Sequence, residues 1–244
     1  MNLFPDLKKG FQTILSDSQW LPKILFGGFL LINPFLIILL LWMFSPGEKS
    51  ILLKPLFFGT LAFNVLSFWF PLGFTYEVLR RARTGSAPQL PDWNMSVLPR
   101  YVKEGAVKLI LAITTLLLPV GVWMGICYFL FIQILRLPPA LLSMFYPPAM
   151  LFVIPFCGVA CCRWLDGDSV INCALNYPKN LKIFCSRKKE FLLASFFLTG
   201  LNTVLCSFII TIPFAAVFGL CLVDTWFGPI YADAVRTQNH ETTQ

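Results

Sequence analysis

The chain has 244 residues, of which 57% are hydrophobic, 16% aromatic and only 13% charged, with a net charge of +7 and a mean hydropathy of +0.73. Soluble domains run at roughly 45–50% apolar and about 25% charged, so lipid is the expected main solvent and a soluble domain is excluded. The basic residues lie beside apolar runs and not in a polar tail, which makes anionic lipid headgroups the expected counter-ions and argues against nucleic acid.

In chain order, residues 1–23 form an arm in which Leu3, Phe4, Leu7, Phe11, Ile14 and Leu15 share an arc of about 120°, with Asp6, Lys8, Lys9, Gln12 and Thr13 outside it. That pattern predicts a membrane-surface helix. A spanning helix needs about 20 apolar residues to cross roughly 30 Å of hydrocarbon. Ile24 to Phe44, Leu56 to Tyr76, Leu109 to Phe129 and Leu141 to Cys162 meet this. The residues after the first run, Ser45-Pro46-Gly47-Glu48, lack a small-x-small cleavage site, so that run is expected to stay as an anchor.

From Phe191 to Tyr231 the chain is apolar except for Asp224 near the end, about twice the length one crossing needs. It divides into Phe191 to Ile209 and Ile212 to Tyr231, with a turn at Thr211-Ile212-Pro213. The alternative is one long tilted helix that leaves Trp226 to Tyr231 at the interface. The expected fold class is therefore all-α, a polytopic helical bundle in one membrane domain. Its hairpins are residues 24–76, 109–162 and 191–231, followed by a polar tail at 232–244.

Of the 19 Lys and Arg, 16 fall in the N-terminal arm, the 77–108 loop, the 163–190 loop and the tail. Only Lys49, Lys54 and Arg136 fall on the other side. The positive-inside bias then places both termini in the cytoplasm and the protein in a plasma or inner membrane. Val97, Leu98, Tyr101 and Val102 before the third span, and Val170, Ile171, Ala174, Tyr177 and Leu181 before the fifth, give weaker surface-helix patterns. The chain thus reads as three copies of one unit, or as three hairpins sharing the usual aromatic and basic finish. The inward spans end alike, and Arg81 to Gly85 and Arg163 to Gly167 share an Arg-x-x-x-Gly exit.

The most specific local pattern is Arg80-Arg81-Ala82-Arg83-Thr84-Gly85-Ser86-Ala87-Pro88-Gln89-Leu90-Pro91-Asp92-Trp93. Arginines at a membrane exit can grip phosphates bidentately, Gly85 can stop the helix, and Pro91 can present Asp92 and Trp93 at the interface. With Arg163 these residues are the candidate lipid- or partner-binding site. A positive-inside anchor followed by a structural loop is the alternative. An Arg-rich helix end, a Gly and then Leu-Pro-Asp-Trp resembles the hallmark of an uncharacterised prokaryotic membrane family, the domain of unknown function numbered four thousand and thirteen. Lys23-Ile24-Leu25-Phe26-Gly27-Gly28, Pro71-Leu72-Gly73 and Phe227-Gly228-Pro229-Ile230-Tyr231 are similar in style to it. The resemblance implies a multi-pass membrane fold and no activity.

Asp166-Gly167-Asp168 has the form of a metal clamp, but a Gly-centred turn with Asp168 or Ser169 capping the next helix is simpler. Cys157, Cys161 and Cys162 lack further ligands, and the one histidine, His240, is in the tail, so no metal or cofactor is expected and the eight cysteines are expected to be reduced. Asn33, Asn64 and Asn202 are deep polar groups that could line a pathway for a neutral solute or bond helix to helix. The sequence lacks a Ser-His or Cys-His pair and a carboxylate constellation at depth. The expectation is a non-enzymatic membrane protein that organises lipid or docks a membrane protein partner through its basic cytoplasmic face. A facilitator or permease for a neutral or weakly polar solute is the alternative.

Overall fold

A computed structural model of the protein describes residues 7–45, 53–85 and 90–242. Leu3, Phe4 and Asp6, residues 46–52 with Glu48 and Lys49, residues 86–89 and the His240 side chain lie outside the described residues. Among the described residues the protein is all-α, with no strand. The helices are α1 (Leu7–Leu15), α2 (Trp20–Leu31), α3 (Pro34–Met43), α4 (Leu53–Ser67), α5 (Trp69–Thr84), α6 (Leu98–Ala112), α7 (Leu118–Cys127), α8 (Tyr146–Leu165), α9 (Val170–Leu175), α10 (Tyr177–Ser186), α11 (Lys188–Leu205) and α12 (Ile212–Thr242).

Four helical stretches are long and apolar enough to cross a membrane: Leu53–Thr84, Leu98–Ile134, Pro139–Leu165 and Ile209–Gln238. A fifth is added if α2 and α3, bent by 44° between them, act as one. The first expected span is therefore a broken helix, and Pro34 is the reason. Proline has no N–H to give Leu30, and its ring obstructs the preceding turn. Asn64 and Ser67 of α4 repair the break: Ser67 Oγ donates to the Leu30 carbonyl (2.8 Å), Asn64 Nδ2 to the Leu31 carbonyl (3.4 Å), and Asn64 Oδ1 accepts from the Asn33 amide (3.1 Å). Asn33 in turn caps α3 through the Phe35 amide.

The long apolar stretch after Lys188 is two antiparallel helices, because Phe191 of α11 meets Phe227 of α12 while Asn202 meets Gly219. The chain reverses between Leu205 and Ile212, earlier than the expected turn at Thr211-Ile212-Pro213, because Ile212 and Pro213 already form the first turn of α12, where proline needs no N–H partner. Proline also disturbs the third expected span. Ile113–Leu117 is wound as a π-helix, in which Thr114 should pair with residue 119, and residue 119 is proline. The hydroxyl of Tyr177 fills that vacancy, donating to the Thr114 carbonyl at 2.7 Å.

Helices α5 and α12 form the centre, α5 against α6, α12, α2 and α8, and α12 against α11, α2 and α1 as well. Glycine lets α5 and α6 touch backbone to backbone: a Cβ on Gly73 would overlap Tyr101, and one on Gly105 would overlap the Trp69 carbonyl. Gly228 likewise lies against the Ala82 and Arg83 backbone. The α1 stripe is not left for the lipid alone, since Ile14 is fully buried and Phe11 meets Phe218 and Trp226 of α12. Tyr101 and its neighbours at the start of α6 are also turned onto the protein core.

Candidate functional site

These pairings bring the C-terminal ends of α5, α8 and α12 and the N-terminal ends of α2, α6 and α11 to one end of the bundle. Most of the charge gathers there. The far end, including α3, α4, α7 and the 196–210 stretch, instead exposes large apolar side chains.

At the basic end, buried Glu77 of α5 accepts from Arg80, from Arg81 Nε (3.4 Å) and from Arg100 Nη2 (2.5 Å). Arg80 also bonds Glu104 of α6, and Arg100 Nε lies 3.6 Å from it. Three arginines therefore enclose two carboxylates, which clamps α5 to α6 and leaves one positive charge in excess. Arg83 lies 3.4 Å from Asp166 and over the Tyr231 ring, and Tyr231 donates to Asp166 at 2.9 Å. This set joins α5, the α8 exit and α12. Gly85 and Gly167 both take positive φ just beyond the arginine-bearing helix ends.

Asp92 and Trp93 are also engaged within the protein. Asp92 pairs with Lys23 at 2.7 Å, and Lys23 is held by Asp17 (2.7 Å) and the Leu90 carbonyl (3.2 Å). Trp93 donates to the Lys23 carbonyl (3.0 Å) and stacks flat on Phe74 with ring centroids 4.5 Å apart. The Leu-Pro-Asp-Trp segment thus seals the α2, α5 and α6 junction.

Arg163 is fully buried, bonded to Asp168 (2.8 Å), Asn180 Oδ1 (2.7 Å) and the Asn172 carbonyl (3.4 Å). Lys179 adds a second bond to Asp168 at 2.9 Å. The Lys179 bond, opposed by burial and joined by the Arg163 bond, holds the Asp168 carboxyl below the ordinary carboxylate range. Ser169 caps α9 and Asn176 caps α10, so the Asp-Gly-Asp turn is built as a helix junction. Among the described residues no group of three or more His, Cys, Asp or Glu is placed to hold a metal, and every described cysteine is a free thiol.

Sequence reasoning did not single out one pair at depth. Lys108 of α6 and Asp224 of α12 are both buried, 2.5 Å apart, and Lys108 also donates to Thr75 of α5 at 2.8 Å. A carboxylate alone in an apolar run of forty residues is the signal that a cation must meet it. Of the three asparagines, Asn33 and Asn64 come together, with their polar groups engaged by the α2–α3 break. Asn202 is apart, against Gly219, with no hydrogen bond to its Oδ1.

Several cations form no ion pair with a carboxylate among the described residues, Lys8 of α1 and Lys103 of α6 included. Lys182 of α10 and Lys188 and Lys189 of α11 are exposed, and no ion pair is formed by any of them among the described residues. Arg187 between them is held by Glu190 (3.6 Å) and Thr237 (3.2 Å). Comparison of the chain with family models, curated proteins and solved structures finds no significant match.

Proposed function

We propose that the chain crosses the membrane six times as three hairpins, with both termini and all the basic segments on the cytoplasmic side of a plasma or inner membrane. There it acts as a non-catalytic component that organises lipid or docks a membrane protein partner. Counting the broken α2–α3 pair and the 18-residue α11 as crossings gives six. At about 1.5 Å per residue α11 extends roughly 27 Å, close to the hydrocarbon thickness.

The observation that carries the functional reading is the division of the molecule into an apolar belt and a basic end that retains positive charge after its internal pairs are made. Anionic headgroups or an acidic partner are the natural complement to such an end. The resemblance of residues 80–93 to the domain of unknown function adds a multi-pass fold to this reading and no chemistry. Purification in a mild detergent, with mass spectrometry of retained lipids and proteins, tests it. Enrichment of anionic lipid over its share of the membrane, or a stoichiometric partner, supports the reading. A protein that emerges alone with lipid in bulk proportion removes it.

A further inference from the structure

The segment between the fourth and fifth expected spans is packed onto the bundle and is not a free loop. Helix α9 packs against α6 and the π-helical turn of the third span, and Tyr177 at the start of α10 reaches the Thr114 carbonyl. Thr114 lies six residues beyond Lys108, about 9 Å further along the helix towards the apolar end. The segment is therefore seated at the level where the apolar belt begins, on the stretch of helix whose Ile110 and Ile113 are exposed.

Two kinds of side chain stand out among its exposed residues. Ile171 and Leu175, one helical turn apart on α9, are 72% and 64% exposed, and Leu181 of α10 is 48% exposed. In water these would be an unexplained apolar patch, and here they extend the belt. Lys182 follows Leu181 directly, and Lys188 and Lys189 open the N-terminal turn of α11; all three are exposed and form no ion pair among the described residues. The opposite faces are committed to the protein: Cys173, Ala174, Asn180, Ile183 and Phe184 are buried.

We propose that α9, α10 and the start of α11 form an in-plane docking surface for anionic phospholipid of the adjacent leaflet. Ile171, Leu175 and Leu181 enter the acyl region, while Lys182, Lys188 and Lys189 meet the phosphates. This rests on the membrane-spanning, lipid-organising reading above and names its site and ligand. The geometry is that of an interfacial helix whose lysines reach past its apolar side chains to the headgroups. A lysine near an anionic surface is worth about 1 kcal/mol, or roughly fivefold in affinity, so loss of three lowers lipid preference by at least about tenfold.

The test is native mass spectrometry of the full chain titrated with phosphatidylglycerol and phosphatidylcholine in competition. The wild type is compared with Lys182→Gln/Lys188→Gln/Lys189→Gln and with Lys54→Gln/Arg136→Gln at the far end. The proposal expects phosphatidylglycerol to be preferred, the preference to fall at least about tenfold in the first variant, and the second to match the wild type. An unchanged preference in the first variant places the lipid elsewhere, which overturns this site while the broader reading stands. If the wild type shows no preference but retains an acidic protein that the first variant loses, the surface docks a partner and the lipid assignment is overturned. Neither lipid preference nor a retained protein overturns both. A Leu175→Ser variant that folds should also bind less phosphatidylglycerol, which a purely electrostatic patch would not show.

Discussion

At the scale of single residues, Arg163 and Asp168 show how a charge is made tolerable in a buried place. The buried Arg163 guanidinium is matched by a carboxylate, an amide oxygen and a carbonyl. Arg163→Ala is expected to destabilise the protein by about 3 kcal/mol, because the buried Asn180 Oδ1 loses its partner and Asp168 keeps only Lys179. The Asp168 carboxyl has a folded pKa below its unfolded value, so its contribution is complete above the ordinary value of 3.8 and is lost as pH falls through the lowered one. Asp168→Asn should therefore be less stable than wild type at pH 7, with the difference closing below about pH 4. Thermal unfolding in detergent across that range checks it, and a pH-independent difference would show that the carboxylate charge is not involved.

The Lys108–Asp224 pair belongs to the same scale. Removing either partner leaves an uncompensated charge among apolar neighbours, so Lys108→Ala and Asp224→Ala should each cost about 3–5 kcal/mol. The double variant Lys108→Met/Asp224→Leu should recover most of that. A double variant as unstable as the sum of the singles would mean that the two residues act independently.

Among the elements, the decisive features are where helices break and where they touch. Proline at residue 34 was visible in the sequence, but the partner of the freed backbone was not. Asn64 is thirty residues away, and only the packing of α4 on α2 makes it the repair group. Asn64→Leu should cost about 1–3 kcal/mol, by leaving the Asn33 amide and Leu31 carbonyl unpaired in an apolar setting. A neutral effect would mean that another group satisfies them. The glycines at the α5–α6 crossing are more demanding, because Gly105→Leu would force two backbones apart. Loss of about 1–3 kcal/mol or failure to fold is expected, whereas Gly121→Leu on α7, where nothing stands near, should be tolerated. Thermal stability of the three variants, measured side by side, separates these outcomes.

What the sequence makes legible at this scale is hydrophobic length and the sign of charge. The four long apolar helices follow from a count of residues, and the helix stops at Gly85 and Gly167 follow from the Arg-x-x-x-Gly exits. The candidate site was harder to read. Arg80, Arg81 and Arg83 look free in the sequence, yet Glu77 and Asp166 meet them in space. Glu77 lies three and four residues before Arg80 and Arg81, and Glu104 lies four after Arg100, spacings that bring side chains together on one helix face. The reach of Arg80 from α5 to Glu104 had no such signal, because it depends on a crossing set by two glycines.

The whole molecule is a bundle with an apolar belt and a basic end tied by ion pairs, with exposed lysines on α10 and α11 among the positive charges left over. Its orientation depends on the reversal after Leu205, which places α11 and α12 side by side and returns the tail to the end that carries Arg83 and Arg163. The most direct measurement is epitope accessibility in sealed membrane vesicles of known orientation, with tags at the N-terminus, within the 163–190 segment and at the C-terminus of otherwise intact chains. The account predicts that all three are reached from the cytoplasmic face alone. A C-terminal tag on the opposite face from the 163–190 tag would mean an odd number of crossings in the last apolar stretch and would contradict the three-hairpin arrangement.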